Sequence, residues 1–237
     1  MKRENEVRCI DSVRELYPKA VFDNVGSDAF HAIFDTARSN HNANDFPDFL
    51  FNGGALEHFE ISAGKEDRKG SSFKKEQAKN QREYQKEAAE ARKAFMESKW
   101  DPYTLRTMVH TYEYADFSYD WFLKSLEKNL ESHLRSLSKS KFVGKTVAFL
   151  IENQSGQLTI WEGNRYIGFQ CIAQDLGILK ILRKAAGKVR YVFYVSADRL
   201  ECLDLSKIDD LIKSAPSGLD IRIGRVIAPS INIYLDF

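Results

Sequence analysis

Four carboxylates lie close together in the segment DFPDFLFNGGALEHFEIS, which spans residues 45–62. They are Asp45, Asp48, Glu57 and Glu60. An Asn-Gly step separates two short apolar runs in this segment, a pattern that predicts a β-hairpin. Carboxylates that converge repel one another, so that either one of them takes up a proton or the group binds a cation. The chemistry that this segment could support is therefore the binding of a hard divalent metal ion.

Strand alternation divides the four acids into two pairs. On the second strand of the hairpin, one face carries Leu56, His58, Glu60 and Ser62, and the other carries Ala55, Glu57, Phe59 and Ile61. Folding back at the turn places Asp48 opposite the His58 region and near Glu60. Asp48 and Glu60 are therefore predicted to bind Mg²⁺ or Mn²⁺, whose bound water could attack a phosphodiester. Asp45 and Glu57 are predicted to face solvent.

Other interpretations of these residues stay open. Asp48 and Glu60 could be acids on a solvated strand face. His58 could assist a metal or a phosphate, although a lone histidine in a strand is more often a packed residue. In LIENQS, residues 150–155, Glu152 and Gln154 share a strand face and form a second candidate site. The alternative for that segment is a strand end that runs into a turn.

A basic segment follows the hairpin. Between residues 65 and 93 there are ten Lys and Arg against six Asp and Glu. The residues predicted to contact the phosphates of a nucleic acid are Lys65, Arg68, Lys69, Lys74, Lys75, Lys79 and Arg82. The alternative is a solvated helix with ion pairs between successive turns.

Helical and strand patterns both occur around these segments. Apolar spacing and helix-forming composition predict helices at 4–17, 27–40, 73–100, 103–115, 118–138, 175–188 and 206–215. Strands are predicted at 19–23, 145–153, 157–163, 189–196 and 219–237. This order predicts an α/β fold with a sheet flanked by helices. Residues 1–70 and 141–237 are expected to form its two parts, with 71–140 as a helical insertion or lobe.

The bulk composition predicts a soluble, intracellular protein. The 237 residues carry a formal net charge of +1, so any basic surface must be local. The three cysteines are widely spaced, which predicts reduced thiols and a cytoplasmic location. The N-terminus has no apolar core of a signal peptide, and no apolar run approaches the roughly 20 residues that span a bilayer.

The hairpin resembles the motif of the PD-(D/E)xK nucleases, the restriction-endonuclease-like superfamily. The matching residues are Pro47-Asp48, the tight hairpin, and Glu60 followed by one apolar residue. The resemblance implies that Asp48 and Glu60 are the two acids of the motif. It also implies that Glu15, or alternatively Glu6, matches the glutamate that many members carry on the first helix. The helix at 4–17 and the elements at 145–196 would complete an αβββαβ core.

This resemblance implies a Mg²⁺- or Mn²⁺-dependent DNA endonuclease with a role in restriction or phage defence. The motif lysine is replaced by Ser62, and Lys65, Lys69 or Lys74 could supply the basic group from a neighbouring element. DNA is the expected partner, and a homodimer is a further expectation. The alternative is a catalytically inactive nuclease-fold module that binds nucleic acid or a protein.

Overall fold

The computed structural model describes residues 2–40, 46–64, 110–113, 117–196 and 199–227, together with residues 82, 86, 89, 90 and 93. Its α-helices include α1 (Lys2–Leu16), α2 (Ser27–Phe34), α3 (Tyr119–Ser138), α4 (Leu176–Leu182) and α5 (Ile208–Ser214), and residues 82, 86, 89, 90 and 93 are also helical. Its strands are β1 (Val21–Phe22), β2 (Arg38–Ser39), β3 (Phe49–Phe51), β4 (Gly54–Ile61), β5 (His110–Glu113), β6 (Thr146–Asn153), β7 (Gln157–Glu162), β8 (Arg165–Phe169), β9 (Tyr191–Ser196), β10 (Arg199–Asp204) and β11 (Asp220–Ile227).

Seven of these strands form a mixed sheet in the order β1-β10-β9-β6-β4-β3-β2. The three central strands β4, β6 and β9 are parallel, and β4 also pairs antiparallel with β3 in the predicted hairpin. Strands β5, β11, β7 and β8 form a second, antiparallel sheet. Parallel strands end at the same edge of a sheet, so the carboxyl ends of β4, β6 and β9 lie side by side.

Apolar side chains cover both faces of the large sheet. One face packs against α1 and α2, with Val13, Phe34 and Phe193 in its core. The other face packs against α3, α4 and α5, with Phe122, Leu126 and Phe149 in its core. Leu56 lies on the first face, whereas Ala55, Phe59 and Ile61 lie on the second, which confirms the predicted alternation along β4.

The α/β class is confirmed, as are the hairpin and most central elements. Helix α3 begins where the sequence predicts, because the Ser118 hydroxyl accepts a hydrogen bond from the backbone N–H of Trp121. Its buried face is an apolar stripe of Phe122, Leu126, Leu130, Leu134 and Leu137. No helix in the part of the chain that the structure describes is long and apolar enough to cross a membrane.

Some predicted boundaries and elements are wrong. Helix α2 ends at Phe34 rather than residue 40, because Arg38 and Ser39 pair with β3 instead. The predicted helix at 103–115 is wrong at His110–Glu113, which pair with β11. Helix α4 ends at Leu182, where a short 3₁₀ turn follows. Strands β8 and β10 were not predicted. They form because they pair with β7 and β9, respectively, which local sequence patterns do not show.

Candidate metal centre

Three potential metal ligands converge near the carboxyl ends of the parallel strands. His58 lies on β4, Glu152 lies on the neighbouring β6, and Cys9 reaches them from α1. The Nε2 atom of His58 is 3.2 Å from Oε2 of Glu152. The thiol, imidazole and carboxylate donor atoms all lie within 4.8 Å of one another. The packing of α1 over the strand ends therefore brings together residues that are far apart in sequence.

The fold explains why these side chains meet. Glu60 of β4 is the register partner of Glu152, so His58 lies one alternation back from that pair on the same face. Cys9, Ile10 and Val13 form the buried side of α1, which covers this face. His58 and Cys9 are both buried, and Glu152 is partly buried. The cluster thus lies beneath the helix with its carboxylate towards the rim.

Electrostatics keep Glu152 ionised. Burial raises the pKa of Glu152, but the hydrogen bond and positive charge of His58 and the nearby Arg8 outweigh it and leave the pKa below its usual value. The Arg8 guanidinium is 3.6 Å from Oε1 of Glu152. In contrast, burial and the neighbouring Glu152 raise the pKa of the Cys9 thiol. The Cys9 ligand therefore becomes a thiolate only when a metal displaces its proton.

The donor set fits a divalent transition metal. Two ligands bound tetrahedrally at about 2.1 Å lie roughly 3.4 Å apart, close to the separation of His58 and Glu152. Sulfur, nitrogen and oxygen donors together suit Zn²⁺ and related ions, whereas Mg²⁺ prefers oxygen ligands alone. The three side chains can therefore hold one ion after small rotations.

The two acids of the predicted motif flank this cluster. Asp48 lies next to β3, and its Oδ2 accepts a hydrogen bond of 3.0 Å from the backbone N–H of His58. Glu60 is beside Glu152 in the sheet and on the same face as His58. Glu60 therefore lies next to Glu152 on the β6 side of β4, whereas Asp48 contacts β4 from the opposite side, where β3 pairs with it. A metal shared by Asp48 and Glu60 stays a prediction.

Glu57 does not face solvent as predicted. It is 6% exposed and lies on the sheet face that α3 covers. Its Oε1 is 2.6 Å from Nδ1 of His133, and its Oε2 accepts a hydrogen bond of 3.1 Å from the backbone N–H of Asp48. Burial raises the pKa of Glu57 despite these contacts. The prediction was wrong because the alternation of β4 does not reveal which helix covers each face.

The structure describes Ser62, which replaces the motif lysine, but few of the basic residues predicted to bind phosphates. Ser62, in place of the motif lysine, accepts hydrogen bonds from Gly64 N–H and the Ser155 hydroxyl, near the start of α3. Arg82 is an exposed helical residue. The other predicted phosphate contacts lie outside the described residues: Lys65, Arg68, Lys69, Lys74, Lys75 and Lys79. Among the described residues, Arg8 is a cation at the cluster, and no local sequence pattern indicates it.

The remaining candidates lie around the same helix and strand. Glu15 is exposed near the end of α1, about 9 Å along the helix axis from Cys9. Glu6 precedes Cys9 by three residues in α1, but the structure does not describe its side chain. Gln154 is exposed beyond the end of β6. Asp45 lies outside the described residues. Of the second candidate pair, Glu152 belongs to the cluster and Gln154 does not.

A second buried acid, Glu201, lies on β10 away from this cluster. It is 1% exposed, and its Oε2 accepts a hydrogen bond of 2.7 Å from the backbone N–H of Ile172. Burial raises its pKa from an ordinary 4.5 to about 7 despite the nearby Arg199. Between these two values the folded protein holds a proton that the unfolded chain has lost, so stability decreases as the pH rises.

We expect the Glu201→Gln variant to lack this loss. Relative to the variant, the wild type should lose up to about 3 kcal/mol of unfolding free energy as the pH rises from about 4.5 to above 7. Urea unfolding at several pH values measures the difference. Glu162→Gln, an exposed change of the same kind on β7, provides the baseline. A difference between wild type and Glu201→Gln that does not vary with pH would contradict the assignment.

Comparison of the chain with protein-family models, curated proteins and solved structures gives no match.

Proposed function

We propose that this chain is a metal-dependent phosphodiesterase that cleaves DNA, with its metal at Cys9, His58 and Glu152. The observation that carries the proposal is the convergence of the His58 imidazole and the Glu152 carboxylate, 3.2 Å apart, with the Cys9 thiol. These groups lie near the carboxyl ends of adjacent parallel strands, where α/β proteins commonly bind ligands.

The neighbouring acids support hydrolysis rather than a purely structural ion. Glu60 lies beside Glu152, and Asp48 contacts the backbone of His58. Two carboxylates beside a three-ligand site can bind a second ion or hold a water molecule by hydrogen bonds. A bound divalent ion would stabilise negative charge on a phosphodiester and make a water molecule more acidic. Zn²⁺ fits the donors of the cluster better than Mg²⁺ does, whereas Mn²⁺, like Mg²⁺, prefers oxygen ligands such as those of Asp48 and Glu60.

Arg8 supplies the positive charge that the motif lysine provides in the nucleases that the hairpin resembles. Its side chain is largely exposed at the rim of the cluster while its guanidinium is 3.6 Å from Glu152. A guanidinium in this position can bind a phosphate oxygen of a substrate and orient it towards the buried ligands. Arg8 therefore both fixes the Glu152 carboxylate and offers a positive charge to DNA.

The order of elements supports a restriction-endonuclease-like core. A hairpin (β3 and β4) is followed by helix α3 and then by β6, which pairs parallel to β4. The resemblance implies the order αβββαβ, which α1, the hairpin, β6, α4 and β9 follow, with α3 inserted between β4 and β6 and with β7 and β8 between β6 and α4. We extend the proposal to a cytoplasmic enzyme of restriction or phage defence. The basic segment 65–82 would contact DNA, and Lys65 or Lys74 could assist catalysis in a homodimer.

The second candidate is a catalytically inactive module that binds nucleic acid or a protein partner. The observation that favours it is the lowered pKa of Glu152. His58 and Arg8 already stabilise this carboxylate without a metal. The hydrogen-bonded Ser62 also leaves the position of the motif lysine without a base.

Plasmid cleavage distinguishes the two candidates. We expect the wild type to nick or linearise DNA with Mn²⁺ or Zn²⁺. Glu152→Gln and Glu60→Gln should lower the rate at least about a hundredfold, and Asp48→Asn should act in the same direction. Glu162→Gln is the matched exposed control and should retain the rate.

Two outcomes would contradict the enzyme proposal. Equal cleavage by the wild type and all three site variants would remove these residues from the mechanism. Salt-sensitive DNA binding without cleavage under any metal would favour the inactive module.

A further inference from the structure

A groove with a cationic lining opens at the opposite end of the parallel strands. Its volume is about 810 Å³, and its lining includes Arg38, Lys141 and Lys145. The turns at Gly53 and Gly144 form part of the same lining. A volume of this size is within the range of roughly 300 to 1,000 Å³ that small-molecule sites occupy.

This groove is separate from the candidate metal centre. It lies against Gly54 and Thr146, where β4 and β6 begin, whereas His58 and Glu152 lie about 13 to 20 Å further along those strands. Arg38 pairs with Leu50, which packs on the α3 face of the sheet. The metal centre lies on the α1 face, so one small ligand cannot contact both.

The positive charge of the groove is not neutralised within the described part of the chain. Among the described residues, no acidic side chain lines the groove, and Arg38, Lys141 and Lys145 form no ion pair. Elsewhere, Arg183, Lys184 and Arg190 each bind a carboxylate. Cations clustered in a concave surface attract anions, because the low-dielectric wall concentrates their field.

The ring of Phe142 holds two of these cations in place. The ammonium nitrogens of Lys141 and Lys145 lie 5.7 Å and 5.3 Å from its centroid. Phe142 itself is 6% exposed and packs in the α3-side core. Both lysines are therefore anchored beside a rigid residue, which lowers the entropy lost when they bind a ligand.

Two glycines leave the backbone open beside the cations. Gly53 and Gly144 have φ angles of +90° and +80°, and no atom lies within 4 Å of the position that a Cβ would take at either residue. The left-handed conformation explains the use of glycine at both turns. The open backbone lets a bulky anion approach the peptide groups closely.

We propose that this groove binds a small ligand through a phosphoryl group, with the size of a nucleoside monophosphate. A phosphoryl group carries more charge and more acceptor oxygens than a carboxylate. It can therefore accept hydrogen bonds from the Arg38 guanidinium and from both lysine ammonium groups together. The face of the base would lie along Leu50 and the aliphatic parts of the lysine side chains. This site does not depend on the proposed nuclease activity.

Calorimetric titration of the full chain with adenosine 5′-monophosphate tests the proposal, with a chelator present so that no metal contributes. We expect saturable binding that inorganic phosphate competes for, whereas adenosine, which lacks the phosphoryl group, should not bind. The double variant Lys141→Gln/Lys145→Gln should bind at least about tenfold more weakly, as should Arg38→Gln. All three residues are exposed, so circular dichroism should show an intact fold.

The matched control is Lys139→Gln/Lys188→Gln, which removes the same charge at exposed positions outside the groove. It should retain the wild-type affinity within about twofold. Equal weakening by the control pair would overturn the site in favour of a general charge effect. Failure of the nucleotide and of phosphate to bind would also overturn it. Binding of a single-stranded oligonucleotide alone would assign the groove to a polymer instead.

Discussion

Zn²⁺ affinity should fall at least about a hundredfold when His58 is replaced by Ala, because the variant loses the imidazole donor of the cluster. The structure places Nε2 of His58 3.2 Å from Glu152, within the separation that two ligands of one ion adopt. Competition with a chromophoric chelator measures the affinity. The effect on DNA cleavage should be at least as large, since the ion and its bound water are lost together.

Two further variants separate metal binding from packing. Glu152→Gln has nearly the same shape as the wild type and should also weaken Zn²⁺ binding, whereas His58→Ala removes buried volume. His31→Ala changes an exposed histidine on α2 that contacts Asp35 and Tyr17, and it should leave the affinity unchanged. Wild-type affinity in both His58→Ala and Glu152→Gln would exclude this cluster as the metal site.

Replacing His133 by Phe should lower the unfolding free energy by about 3 kcal/mol or more at neutral pH, because it leaves the Glu57 carboxylate buried without its partner. The phenyl ring keeps the stacking on Phe59, where the ring centroids are 4.6 Å apart. The Nδ1 contact with Glu57, 2.6 Å in length, is the interaction that disappears. Urea unfolding measures the change.

The second-site change Glu57→Gln should recover a large part of this loss. The amide carries no charge, and its oxygen can still accept the hydrogen bond from the backbone N–H of Asp48. The loss in His133→Phe should also shrink at acidic pH, because burial raises the pKa of Glu57 and a protonated carboxyl group has no buried charge. A cost below about 1 kcal/mol in His133→Phe would contradict the role of the pair.

Local patterns predicted the elements whose information lies in short spacing. The Asn52-Gly53 step identified the hairpin, and the apolar stripe from Phe122 to Leu137 identified α3 with its cap at Ser118. The two faces of β4 also followed from alternation alone. Such features depend on neighbouring residues, so one sequence is sufficient to find them.

Features that depend on distant pairing were missed. The segment of β10 contains Glu201, a charged residue that becomes buried only because β9, β1 and the turn at Ile172 surround it. The burial of Glu57 depends in the same way on where α3 lies. Sequence spacing does not record which element covers a strand, so neither acid could be assigned to the interior.

The candidate site was predicted in part. Sequence spacing indicates Glu60, His58 and Glu152 as potential ligands, but it identifies Cys9 only as a reduced thiol and gives no signal for Arg8. Positions 9, 58 and 152 meet because α1 packs across the ends of β4 and β6. A signal for Cys9 does exist, since it shares the buried side of α1 with Ile10 and Val13, but nothing local indicates which strand it meets.

Titration with Co²⁺ tests the central claim most directly, because a thiolate ligand produces a charge-transfer absorption band that nitrogen and oxygen ligands do not. We expect the wild type to show this band and to saturate at one equivalent of Co²⁺. Cys9→Ser should lose the band, whereas Cys171→Ser, which changes a free thiol outside the cluster, should keep it. A wild type without the band, or a Cys9→Ser variant that retains it, would contradict a metal centre at Cys9, His58 and Glu152.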